Sequence, residues 1–369
     1  MKRAAAAAIS LMTGLAMLTG CSRAEVEETI QPLVADAIEE SDSEAEAVKE
    51  EDESPLIPEI DIDIKIHAGS RIAVVSKCVK GEYWKMVKKG MEDAVKEINK
   101  AYGYKKDDQI TMTFEGPDNE EDVETQINTI DAVIAENPDV LCISASDMDS
   151  CEAQLEAAKE NGIPVIAFDS NVAEKKLVKA YRGTDNVQVG KMAAYQLGSA
   201  LGKMGKVAVF SAQQKTKSVQ DRVEGFMNNI GKYGDIEIVE TIYSDQVDDM
   251  EASMKEVLEK YPTLDGVFCT NADITEMYLN LEKSDEHDAP ALVGVDATTK
   301  QQEAIRNGEE IGCVSQQPYA MGYQTIWAAV ETTAPKKSVV IEKNVLSNPA
   351  WIDADCLDDP DYSGYLYTE

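Results

Sequence analysis

From Gly69 onward the chain alternates between two hydrophobic patterns. Short, nearly unbroken apolar runs recur at 71–76 (RIAVVS), 110–115 (ITMTFE), 139–144 (DVLCIS), 164–168 (PVIAF), 178–181, 206–211 (KVAVFS), 236–243, 265–270 (DGVFCT), 291–295 and 311–315. Each run has the length of a strand, and runs without polar alternation mark strands buried on both faces. Between them lie 83–101, 119–136, 149–161, 186–202, 219–232, 248–260, 273–283, 299–307 and 319–333, where apolar residues return at helical spacing. In 83–98, for example, Trp84, Val87, Met91, Ala94, Val95 and Ile98 fall on one helical face. Strands alternating with helices predict an α/β fold whose parallel sheets are covered on both sides. About ten strands exceed one compact sheet, so two Rossmann-like lobes are expected.

The first 68 residues follow neither pattern. Lys2 and Arg3 precede an apolar run from Ala4 to Leu18, closed by Leu18-Thr19-Gly20-Cys21. A basic start, a short apolar core and small residues before a cut are the marks of a secretory signal. The core is also shorter than the ~20 residues that cross a bilayer. The cysteine directly after Leu-Thr-Gly resembles the lipobox of bacterial lipoproteins. That resemblance implies a signal peptide over 1–20, an acylated Cys21, and an anchor on the outer face of the cell membrane, as suits a single-membrane Gram-positive cell. Residues 22–67 then carry sixteen acids against three bases and no aromatic residue. Such a composition buries too little surface to offset chain entropy, so 21–68 reads as the lipidated cysteine and a disordered acidic tether.

The net charge of −34 and the pI near 4.4 exclude a nucleic-acid partner and a basic membrane-binding patch. Membrane contact is therefore expected only through lipid on Cys21. Of the other six cysteines, Cys78, Cys142, Cys269 and Cys313 sit in or beside strand-like runs, and all six are expected to be free thiols. No CxxC pair occurs, and only His67 and His287 could assist in metal binding, so neither metal nor cofactor is expected. The sequence also lacks a GxSxG elbow, a P-loop and an HExxH pair, which argues against an enzyme.

The candidate chemistry lies at strand ends, where open parallel sheets bind ligands. DVLCIS ends at Ser144; PVIAF is followed by Asp169, Ser170 and Asn171; GVFCT by Asn271 and Asp273; ALVGV by Asp296; IGCVS by Gln316. The first strand leads into Tyr83 and Trp84, and Arg222 stands early in the helix SVQDRVEGF. Carboxylates, amides and a guanidinium fork can orient hydroxyls, while flat rings suit the C–H faces of a sugar. Singly, a strand-end Asp or Asn is also an ordinary turn or cap residue, and Arg222 between Asp221 and Glu224 could be a surface ion pair. Five strands ending in hydrogen-bonding side chains favour a site.

At these residues the chain resembles the periplasmic sugar-binding proteins of ABC importers, specifically the ribose-binding class (type I periplasmic binding protein fold). The resemblance runs from about Arg71 to about Asn344 and rests on RIAVVSKCVKGEYWKMVKKGMEDAVKE, IPVIAFDSN, QDRVEGF, GVFCTNAD, ALVGVDATTKQQEAI and IGCVSQQPYAMG. It implies two lobes joined by a three-segment hinge near 183–185, Gln316 and Asn344. The lobes would be 69–184 plus 317–344 and 185–316 plus 345–369. It also implies a sugar site of Tyr83, Trp84, Ser144, Asp169, Ser170, Arg222, Asn271, Asp296 and Gln316. Ser144 and Gly81 fall where the ribose binders place Asn, Ser170 where they place a second Arg, and Val247 where they place a Phe. These departures leave room for a larger hexose, a modified sugar or a short glycoside. A monomer that closes on its sugar and docks on a permease is the expectation. A sensor that presents sugar to a histidine kinase or chemoreceptor would use the same lobes. A lac-repressor type regulator would need a DNA-binding segment where the lipobox stands. Trp351, Tyr362, Tyr365 and Tyr367 lie beyond the family pattern and carry no assignment.

Overall fold

A computed structural model describes residues 57–281, 289–335 and 338–368. The expected signal peptide, Cys21, the expected tether through residue 56 and His287 lie outside the described residues. In chain order the elements begin β1 (Arg71–Val75), α1 (Gly81–Tyr102), β2 (Thr111–Glu115), α2 (Val123–Ala135), β3 (Val140–Ile143), α3 (Glu152–Glu160), β4 (Val165–Phe168) and β5 (Ala180–Thr184). The same alternation repeats as α4 (Asn186–Ala200), β6 (Met204–Ser211), α5 (Lys217–Ile230), β7 (Asp235–Tyr243), α6 (Met250–Lys260), β8 (Gly266–Cys269), α7 (Ala272–Leu279), β9 (Ala291–Val295), α8 (Thr299–Asn307) and β10 (Gly312–Ser315). Helix α9 (Pro318–Thr332) and strands β11 (Asn344–Ser347) and β12 (Ala350–Ile352) follow.

Two sheets result, ordered β2-β1-β3-β4-β5-β11 and β7-β6-β8-β9-β10-β12. Every pairing is parallel except β10 with β12. Both sheets share one doubly wound order, whose crevice lies where the strand order reverses. The central runs lack alternation because each of those strands feeds two cores, whereas the edge strand β2 alternates and turns Met112 and Phe114 to one core. Ile72, Val74 and Cys142 face α1 and α9, while Ala73, Val75, Leu141 and Ile143 face α2 and α3. In the second sheet Ala208, Phe210 and Val267 face one core, and Val207, Val209, Phe268 and Val293 the other.

Paired helices cross closely in each lobe, and glycines make the approach possible. A Cβ on Gly90 of α1 would stand 2.0 Å from the Tyr319 carbonyl oxygen, and one on Gly322 of α9 would stand 2.1 Å from that of Val87. Gly190 of α4 and Gly225 of α5 are the counterparts, at 1.9 Å from the Arg222 oxygen and 2.2 Å from the Val187 oxygen. No real Cβ contact is that short, so only glycine fits.

The chain passes between the sheets three times: after β5, after β10, and between β11 and β12. The third passage lies beyond Ser347 rather than at Asn344, because 344–347 forms an edge strand on β5. That strand and β12 are too short to show a period in sequence. Helix α7 ends at Leu279, earlier than the expected 283. The end of the acidic segment is packed rather than solvated: Ile66 is buried, Ile60 and Ile64 join the same core, and Tyr102 Oη donates to the carbonyls of Asp61 and Ile64. Ile60, Ile64 and Ile66 supply the apolar contacts that the acid count had obscured, while Ile57 and Ile62 stay exposed. All six described cysteines are free, with Cys356 alone not fully buried.

Candidate functional site

The carboxyl ends of β1, β3 and β4 face those of β6, β8, β9 and β10 across a cleft of about 830 Å³. That volume lies in the upper part of the usual range for small-molecule sites. The lobes touch around it. Ser170 and Ser218 share a 2.6 Å hydroxyl contact, Thr216 Oγ1 donates to the Ser146 carbonyl at 2.6 Å, and the Thr299 amide donates to Glu82 Oε2 at 2.8 Å.

The first lobe contributes a carboxylate, two rings and a buried cation. Asp169 follows β4 with φ +54°, a left-handed backbone that side chains other than Gly rarely adopt and that clusters at ligand clamps. Tyr83 Oη donates to its Oδ1 at 2.7 Å, Ser144 Oγ to its Oδ2 at 2.8 Å, and Lys77 Nζ lies 3.0 Å from Oδ2. Burial alone would raise the Asp169 pKa, but the Lys77 charge and the Tyr83 and Ser144 donors hold it below the usual carboxylate value. Lys77 is itself buried; desolvation works against its charge, and Asp169 and Glu120 outweigh it and raise its pKa. Its ammonium also donates to Ser170 Oγ at 3.2 Å and stands 5.7 Å from the Trp84 ring centre. Trp84 meets Tyr83 edge-on at 5.1 Å and donates from Nε1 to Glu120 Oε1 at 2.8 Å.

Behind these groups Gln126 bonds the strand ends together. Its Nε2 donates to the carbonyls of Ser76 and Ser144, and its Oε1 accepts from the Ser146 amide.

The second lobe answers with a fork, an amide and a second strained aspartate. Arg222 is buried on α5; its Nε donates to Asn186 Oδ1 at 2.8 Å and its Nη1 to the Thr270 carbonyl at 2.7 Å. These bonds fix the guanidinium while Nη2 has no protein partner among the described residues and the side chain lines the cleft. Asp296 follows β9 with φ +79°. Its Oδ1 accepts from Gln316 Nε2 at 2.7 Å and from Tyr367 Oη at 2.9 Å, and its Oδ2 from the Ala272 amide at 3.0 Å. Asn271 caps α7 through Oδ1, accepting from the Ile274 amide, and turns toward the cleft. The capping role and the site role therefore coincide in one side chain. Asp273, exposed at the cleft and within the field of Glu120, Glu276 and Asp296, has its pKa raised to about 7, chiefly by desolvation and then by those charges.

Of the nine residues expected from sequence, Tyr83, Trp84, Asp169, Arg222, Asn271, Asp296 and Gln316 line the cleft, as do Gly81 and Val247. Ser144 and Ser170 have no exposed surface and lie behind the lining, where they bond Asp169 and Lys77. A hydroxyl is too short to reach past those neighbours. Arg222 is not the surface ion pair that its flanking acids allowed; Asp221 pairs with Lys217 instead. Lys77, Glu120 and Tyr367 were not foreseen. Lys77 carried a signal, since it stands just past β1 as the other candidates stand past their strands. Among the described residues no group of three His, Cys, Asp or Glu side chains could hold a metal ion.

The periplasmic binding protein domain family matches residues 72–337. Over 220 residues the chain is 26% identical to the ribose import binding protein of Bacillus subtilis, the match covering 60% of this chain and 71% of that protein. It is 24% identical over 211 residues to the xylitol-binding protein of Mycolicibacterium smegmatis, covering 57% of this chain and 60% of that one. The fold superimposes on an ABC transporter solute-binding protein from Agrobacterium vitis with bound D-fucose. The TM-score is 0.73 at 26% identity, over 81% of this chain and 100% of that one.

Proposed function

The chain belongs to the periplasmic binding protein family, in its type I sugar-binding class, and on that premise we propose that it is a lipoprotein that captures a small neutral sugar between its lobes and delivers it to an ABC importer permease. Its relatives are sugar-binding transport proteins rather than enzymes, which supports binding without turnover. The observation that carries the reading is the pair of strand-end aspartates, one from each lobe. Both have left-handed backbones, both are locked by protein donors, and they share a cleft with the free arm of Arg222.

Hydroxyls donated to Asp169 and Asp296, a sugar oxygen accepting from Arg222, and a ring laid on Trp84 would engage both lobes at once. A ligand held from both sides favours the closed arrangement through its differential affinity for it. Eleven acids and three bases line the cleft, which disfavours phosphorylated and uronic sugars. In this reading the lobes are 69–184 with 317–347 and 185–316 with 348–369. Cys21 bears the lipid that keeps the protein at the outer face of the membrane, and the permease receives the closed form.

A thermal-shift screen against pentoses, hexoses, polyols and small glycosides, with sugar phosphates and amino acids as controls, tests the proposal. A bound sugar at a hundredfold excess over its Kd should raise stability by ~2.7 kcal/mol. No shift with any neutral sugar, or a shift with sugar phosphates alone, would reject it.

A further inference from the structure

The tyrosines at the end of the chain lie outside the matched family region, and one of them enters the site. Tyr367 is buried, and its backbone is fastened to the second lobe: its amide donates to the Ala297 carbonyl at 3.0 Å, and its carbonyl accepts from Gln302 Nε2 at 2.8 Å. Two residues earlier, Ser315 Oγ donates to the Tyr365 carbonyl. The Tyr367 ring, however, lies in the apolar core of the first lobe, 5.9 Å from the ring of Tyr83. Its hydroxyl turns back to Asp296 Oδ1 at 2.9 Å.

We propose that Tyr367 is a positioning residue for ligand binding. It holds the Asp296 carboxylate in its binding orientation and, through the Tyr83 ring, ties that carboxylate to Asp169 in the other lobe. The inference rests on the cleft being the sugar site. Two aspartates, one per lobe, each accept a phenol, Tyr83 on Asp169 and Tyr367 on Asp296, and the two rings touch. A carboxylate turns freely about its last bond unless both oxygens are claimed. On Asp296 Tyr367 and Gln316 share one oxygen while the Ala272 amide takes the other. Burial, and then the Asp296 charge, raise the Tyr367 phenol well above its usual range, so it remains a donor at neutral pH.

Tyr367→Phe separates this role from packing, because phenylalanine keeps the ring and removes only the hydroxyl. Wild type and variant are titrated calorimetrically with D-ribose, D-allose, xylitol and D-fucose. Hydrogen exchange of the Ala272 amide is followed without sugar, and the thermal midpoint is recorded. The expected result is about fivefold weaker binding of whichever probe the wild type takes, faster exchange at Ala272, and a midpoint lowered by only a few degrees, so that the variant is fully folded during the titration. Unchanged affinity for a probe the wild type binds overturns the proposal, whatever the exchange shows. If the wild type takes none of the four, the sugar reading is what fails. The Ala272 amide then decides the inference alone: faster exchange in the variant upholds the lock on Asp296, and unchanged exchange overturns it.

Discussion

At the scale of single residues, the cleft is an exercise in holding charge out of water. Lys77 has carboxylates of Asp169 and Glu120 at 3.0 and 3.6 Å with only 5% of its side chain exposed. Removing one partner of such a buried pair is costly because the other charge stays behind. Lys77→Met should therefore lower unfolding stability in urea by about 3 kcal/mol at pH 7; a loss below about 1 kcal/mol would mean the cation contributes little. Asp169 has a depressed pKa in the fold, so its contribution is present above the unfolded carboxylate value near ~3.9 and vanishes as pH falls through the lower folded value. Lys77 has a raised one, so its contribution lasts until pH rises past the ordinary lysine range. The deficit of Lys77→Met should thus be flat through neutral pH and shrink in acid. Asp273 behaves oppositely. Its pKa is raised to about 7, so the fold is favoured below the unfolded carboxylate value and loses that advantage as pH rises through about 7. Thermal melts from pH 5 to 8 should show the wild type falling relative to Asp273→Asn, and parallel curves would contradict that environment. Strand-end carboxylates and amides were legible in sequence because their positions repeat. Lys77 is ambiguous in the sequence, because a lone lysine after a strand is usually solvated. Tyr367 gave no local signal, since only the tertiary fold returns residue 367 to Asp296.

At the scale of elements, ten strands and nine helices could be read because the central strands are apolar without interruption, the edge strands β2 and β7 still carry apolar residues at alternate positions, and most helices keep an apolar stripe. Strands β11 and β12 could not, since Asn344–Ser347 and Ala350–Ile352 exist only as edges added to finished sheets. The close helix crossings were equally silent, because a glycine in a helix looks like a weak position until its neighbour is known. Gly190 bears on the cleft: its missing Cβ admits the carbonyl of Arg222, whose side chain lines it. Gly190→Ala should push α4 from α5, lower stability by at least 1–3 kcal/mol as overpacking does, and weaken sugar affinity as well. Normal affinity in a destabilised Gly190→Ala protein would show that the helix shift does not reach Arg222.

At the scale of the whole molecule, two lobes of one winding order confront their carboxyl edges, and the chain passes between them three times. That architecture was predictable from the count and rhythm of the strands, whereas the placement of the tail was not. Residues of both lobes line the cleft, and in the proposed function a single sugar is gripped from both sides at once. The direct measurement is calorimetric titration of that sugar into the wild type, Asp169→Asn and Arg222→Ala. The first variant alters the first lobe's carboxylate and the second removes the second lobe's guanidinium. One site per chain is expected in the wild type, with at least tenfold weaker binding in Asp169→Asn and no measurable heat in a folded Arg222→Ala, in line with the loss of buried charge-assisted hydrogen bonds. Binding that survives either substitution unchanged would contradict the two-sided grip.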